Sequence, residues 1–208
     1  MTLETGLREK KKIETRLLLR RTAAQLFAEK GFDAVTVADI AAAAGVSEKT
    51  VFNYFASKED LVVSGREDSE AMLLQAIQER APGEPILTAV HRHARMTAER
   101  LNNLPAVQRV ALCKIMKETP SVRERSMQMS IRFEEALCQL IAEETGASVN
   151  DIRPRVVARI FGGLMWIAAS GAFGWNKARP VSLETSLAEI DSAFALVQGG
   201  LADYGVKA

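Results

Sequence analysis

The sequence predicts an all-α fold. Long stretches rich in Ala, Leu, Glu and Arg favour helix, aromatic residues are only 6% of the chain, and no two segments alternate as paired strands would. At 208 residues, with 48% apolar and 25% charged residues, the composition is that of an ordinary globular protein able to bury a core.

Helical periodicity begins near Arg8 and sets Ile13, Leu17, Ala24, Phe27 and Ala28 on one expected inner face, before Gly31 stops the helix and Phe32 folds back beneath it. Thr36 is an N-cap for a short second helix, with Asp39 placed for a capping box, and Gly45 ends it. Ser47 caps a third short helix reaching Phe55. Ser57 and Lys58 open a longer fourth, with Leu61, Met72, Leu73 and Ile77 as its apolar positions. The break Pro82-Gly83-Glu84-Pro85 is the clearest boundary in the pattern. Helical segments at about 84–103, 105–117, 119–145, 149–175 and 183–204 follow, parted by Pro105, Pro120, Gly146 and a turn from Lys177 to Pro180.

Charge and cysteine usage narrow the function. Net charge is only +1, but Arg8 to Arg21 holds seven bases against two acids, so any polyanion surface has to be local. Cys113 and Cys138 have no metal or redox spacing, which fits a reduced cytoplasm. The opening residues lead into charge, so no secretory leader is expected. The apolar run Ile160–Trp175 carries four glycines and falls short of the ~20 residues that span a bilayer, so a buried helix and no membrane partner are expected. Catalysis is not expected either. His91 and His93 stand two apart on a helix and read as surface histidines, neither cysteine has a nucleophile's context, and no glycine-rich phosphate loop follows a strand; no metal or cofactor is implied.

Val37 to Phe55 has helix-turn-helix spacing. Ala41 is small where the third helix crosses, Gly45 makes the turn, and Ile40, Val46 and Val51 fill the space between helices. Glu48, Lys49, Thr50, Asn53 and part of Tyr54 are left facing outward, a set suited to phosphates and base edges. An Ala-rich helix, a glycine turn and a helix also occur in bundles that never touch DNA.

From Thr15 to Leu61 the chain resembles the DNA-binding domain of the TetR repressor family. The matching residues are Thr15-Arg16, Ala23-Ala24, Leu26 to Phe32, Thr36-Val37, Ile40-Ala41, Ala44 to Ser47, Thr50 to Phe52, Tyr54-Phe55 and Ser57 to Leu61. The resemblance implies about nine helices, in a helix-turn-helix DNA-binding head (8–60) and an effector-binding and dimerisation body (61–205). It implies a cytoplasmic, nucleoid-associated repressor that binds double-stranded operator DNA as a homodimer and answers a small apolar or amphipathic effector. Carried onto this sequence, it puts Thr36 and Ser47 at helix starts near phosphate, Lys49, Thr50 and Asn53 at the major groove, and Lys58 on a phosphate, with Lys11, Lys12 and Arg16 in support. Phe52 stands where the family commonly has tyrosine, so apolar contact replaces a hydroxyl; Tyr54 keeps one.

For the body, Met96, Arg100, Met116, Phe133, Trp166 and Phe173 are expected around an effector, with Cys113, Met127, His93 and Arg132 as further candidates. The small residues around Gly163, and the stripe Leu187, Ile190, Phe194 and Val197, resemble the helices that pair two subunits; the alternative for that stripe is the subunit's own core. A second reading keeps the same fold but has the body bind a protein, and an exposed apolar patch over a filled core would favour it.

Overall fold

The computed structural model describes residues 3–175 and 180–200, and among them nine helices and no strand. The expected turn at 177–180 lies mostly outside the described residues, as do residues 201–205 of the expected body.

Local chemistry sets the helix ends. α1 (Leu3–Lys30) stops at Gly31, where φ is +86°, a conformation that a side chain resists. α2 (Val37–Ala44) starts on a complete capping box: the Asp39 N–H donates to Thr36 Oγ1 at 3.1 Å, and the Thr36 N–H donates to the Asp39 carboxylate at 2.8 Å. Gly45 turns the chain into α3 (Glu48–Tyr54), whose Thr50 N–H donates to Ser47 Oγ at 3.1 Å. α4 (Lys58–Gln78) is capped by Ser57 in the same way. α5 (Ile86–Asn102) and α6 (Ala106–Glu118) each follow a proline, and α7 (Pro120–Thr145) has its proline in the first turn. α8 (Arg153–Phe173) and α9 (Leu183–Gly199) complete the body.

The inner face of α1 differs from the expected one. Leu19, Ala23 and Phe27 are buried, whereas Ile13 and Leu17 are exposed and Ala24 and Ala28 half-buried. Residues 10–14 are all exposed, so this stretch of α1 lies outside the core, and apolar spacing alone could not register that.

Two apolar clusters organise the chain. The first joins Leu19, Phe27, Ile40, Val51, Phe55 and Leu61 to Ile115 of α6 and to Val122 and Met129 of α7. The head therefore shares its core with the body. α4 belongs to both parts, because Leu61 lies in this cluster while Leu73 and Ile77 lie in the second, with α5, α7, α8 and α9. The break at Pro82–Pro85 is a loop between α4 and α5, inside the body.

α8 is long and apolar enough by composition to cross a membrane, but it packs against α5, α7 and α9 through Ala158, Phe161, Leu164 and Ala168. The stripe expected at a subunit interface turns inward instead. Ile190 and Phe194 are 1% and 3% exposed within their own subunit, and Leu187 and Val197 pack against the same cluster. Phe194 also stacks on His91, ring centroids 4.5 Å apart. The reason lies in α5 and α8, which both pack on α9, and α5 also ties down its edge: Arg95 and His91 both bond Asp191, His91 at 2.7 Å. Gly163 stays exposed.

Candidate nucleic-acid interface and ligand cleft

α3 is locked from below. Val51 and Phe55 are buried, and the Phe55 N–H closes the helix on the Val51 carbonyl at 2.9 Å. Lys49, Phe52 and Asn53 consequently face solvent, Phe52 at 52% exposure, with Thr50 and Tyr54 half-buried beside them.

Two hydroxyls expected near phosphate are already engaged at helix starts. Thr36 donates to Asp39 at 2.6 Å, and Ser47 and Thr50 share a hydrogen bond of 2.9 Å. Those bonds from Thr36 hold the exposed Asp39 carboxyl below its usual range. Ser47 and Thr36 are both exposed, so their outer lone pairs remain reachable.

Lys58 and Arg16 depart from expectation. The Lys58 ammonium donates to the carbonyls of Phe32 and Val35, at 2.9 and 3.1 Å, and lies 4.1 Å over the Phe32 ring. It clasps the α1–α2 loop to α4 and has one N–H left for a phosphate. Arg16 donates to the Tyr54 carbonyl and to Asp68, at 3.1 Å each, and sits over Phe55. It is a brace of the head rather than a solvent-facing base. Lys11 is exposed on α1, as is Lys12.

Behind the head, α4 and α5 enclose an open cleft of about 460 Å³. Of the six residues expected around an effector, only Met96 and Arg100 line it. Phe133 is buried in the body core, Met116 packs against the head-side cluster, Trp166 meets Trp175 edge-on at 4.7 Å, and Phe173 is half-buried without reaching the cleft. Met72 and Ala76 of α4, and Ala89 of α5, were missed. Their signal was present as an i, i+4 pair on α4 and a stripe Ala89, His93, Met96, Arg100 on α5, but pairing the two stripes needs the fold.

His93 is buried, contrary to the surface placement expected, and bonds Ser69 at 3.0 Å; Ser69 in turn bonds Thr97 at 3.2 Å. Burial, reinforced by Arg100, pushes its pKa down to about 4, so the ring is neutral at pH 7. Burial also raises the Cys113 thiol, which suits a core residue and not a nucleophile. No group of three metal-ligating side chains exists among the described residues.

The fold and motif agree with known proteins. A family model described as bacterial regulatory proteins, tetR family, matches residues 19–64, and one described as MftR C-terminal domain matches residues 81–202. The chain is 30% identical over 162 residues to the HTH-type transcriptional regulator TcmR of Streptomyces glaucescens, covering 75% of this chain and 72% of that one. Solved structures share the fold. The TetR-family repressor FadR of Thermus thermophilus, in complex with lauroyl-CoA, has a TM-score of 0.54 at 23% identity, covering 93% of this chain and 98% of its own. NalD of Pseudomonas aeruginosa, a secondary repressor of a multidrug efflux pump, has a TM-score of 0.53 at 19% identity, covering 94% and 100%.

Proposed function

The chain belongs to the TetR family of transcriptional regulators, which are not enzymes, and from that premise we propose that it is a ligand-responsive repressor binding a near-palindromic operator as a homodimer. The observation that carries this reading is α3: a helix fastened by Val51 and Phe55 whose outer face, Lys49, Phe52 and Asn53, is bare. Inserted in a major groove, that face offers a cation for phosphate, an amide for a base edge and an aromatic ring for a thymine methyl. Thr36, Ser47 and Thr50 frame it, and Tyr54 adds a phenol hydroxyl. The setting is the bacterial cytoplasm, on the nucleoid.

Dimerisation is supported by apolar surface on α8 and α9, where Val156, Gly163, Trp166, Ile167, Ala195 and Leu196 lie exposed on the helices that cap the body. Two recognition helices ~34–36 Å apart would read successive major grooves, which is why the operator is expected to be near-palindromic.

Ligand control is supported by α4. It starts in the head at Lys58, carries Asp68, to which Arg16 and Arg20 of α1 are bonded at 3.1 and 2.7 Å, and one turn later lines the cleft with Met72 and Ala76. A ligand that prefers one position of α4 biases the head accordingly.

Selecting bound sequences from a random DNA pool, with and without cell extract, tests the reading. A near-palindromic consensus, with binding lost in extract, is the expected result. No enrichment at moderate salt would overturn it.

A further inference from the structure

The charges around the α4–α5 cleft do not balance. Arg92 on its wall is paired with Glu84 at 2.7 Å, Glu99 lies in the field of Arg95, and His93 is neutral. Arg100 is left over: among the described residues it makes no hydrogen bond and no ion pair. The one acid whose field reaches it is Asp68, already bonded by Arg16 and Arg20. Partial burial works against its charged form. The apolar part of the wall is Met72, Ala76, Ala89 and Met96, and Thr97 and Asn103 complete it.

We infer that this cleft takes a small amphipathic carboxylate, with its anionic group on Arg100 and its apolar part between Met72, Ala76, Ala89 and Met96. A guanidinium offers a carboxylate two parallel N–H donors, and Arg100 is exposed on the cleft wall, where both can turn to a ligand. An anion there supplies the missing counter-charge, whereas a cation of the same shape adds to the repulsion. A volume of about 460 Å³ accepts a ligand of drug-like size or smaller. The inference rests on the ligand-responsive reading and names the class of its ligand.

Calorimetric titration of the full chain with decanoate, decanamide and decylammonium, equal in length and different in charge, tests it. Decanoate is expected to bind about tenfold or more tightly than decanamide, with decylammonium weakest. Arg100→Gln should bring decanoate to the level of the amide, and Arg100→Lys should keep part of the preference. Ala76→Phe, which narrows the cleft, should weaken decanoate and decanamide alike. Equal binding of acid and amide, an unchanged decanoate affinity in Arg100→Gln, or no decanoate binding at all would each overturn the proposal. Operator binding separates the two claims. Arg100-dependent decanoate binding that leaves operator affinity untouched would sink the ligand-responsive reading and keep the site. Extract that releases the operator equally from the wild type and from Arg100→Gln would sink the site and keep the reading.

Discussion

The guanidinium of Arg16 reaches the carbonyl oxygen of Tyr54, 38 residues away, with a hydrogen bond of 3.1 Å, and with its other nitrogen holds Asp68. The last turn of the recognition helix, the first helix and the helix leading into the body thus meet on one side chain. The outer face of α3 owes its orientation in part to a side chain fastened behind it.

Replacing Arg16 with Met should therefore lower stability by about 1–2 kcal/mol, a fall of roughly 2–8 °C in Tm, by loss of the hydrogen bonds made by its charged group. Operator affinity should fall as well, with an unchanged slope of log affinity against log salt, since no phosphate contact is lost. A flattened slope would put Arg16 on the DNA.

Lys58→Met distinguishes a clasp from an anchor. Losing the bonds to the Phe32 and Val35 carbonyls should lower Tm by several degrees, with the salt slope held. A slope reduced by about 0.9 would show that the remaining N–H meets a phosphate.

On the outer face of α3, Lys49→Ala should weaken binding to every sequence and reduce the salt slope by about 0.9. Asn53→Ala should change the preferred bases at one position of each half-site, by about 1–3 kcal/mol of discrimination. Equal losses on all DNAs for Asn53→Ala would remove it from base contact.

Gly163 and Phe194 should part company. A Cβ at Gly163 would meet nothing within 4 Å in its own subunit, and the position is exposed, so Gly163→Leu should leave the subunit folded and weaken the dimer, as read by sedimentation at falling concentration. Phe194→Ala empties a core position and should cost about 3–5 kcal/mol of stability. A Gly163→Leu dimer of unchanged affinity would move the interface elsewhere.

Stability should fall with acid through His93. Its pKa is about 4 in the folded chain against the ordinary 6.5, so between those values the unfolded chain binds more protons and stability drops as pH falls. The loss at pH 4 is of the order of 3 kcal/mol. Denaturant titrations from pH 7 to 4 should show a shallower decline in His93→Gln, and parallel declines would count against the buried neutral ring.

What the sequence determined by itself is what short-range chemistry decides. The Thr36–Asp39 box, the Gly45 turn, the Ser47 cap, Pro120 at the start of α7 and Gly146 at its end act within a few residues, and with them the helix-turn-helix and its outward residues Lys49 and Asn53 were legible, while Phe52 entered only through the family resemblance. Tertiary structure decided which faces are covered. Ile13 and Leu17 carry the right spacing but are exposed; Ile190 and Phe194 are buried, because α5 and α8 pack on α9. Lys58 and Arg16 look like free cations until carbonyls 23 to 38 residues away come within reach. The cleft belongs to α4 and α5 together, and neither helix announces it alone. Burial and pairing are properties of neighbours, and a helix's neighbours are set by the packing of the whole chain.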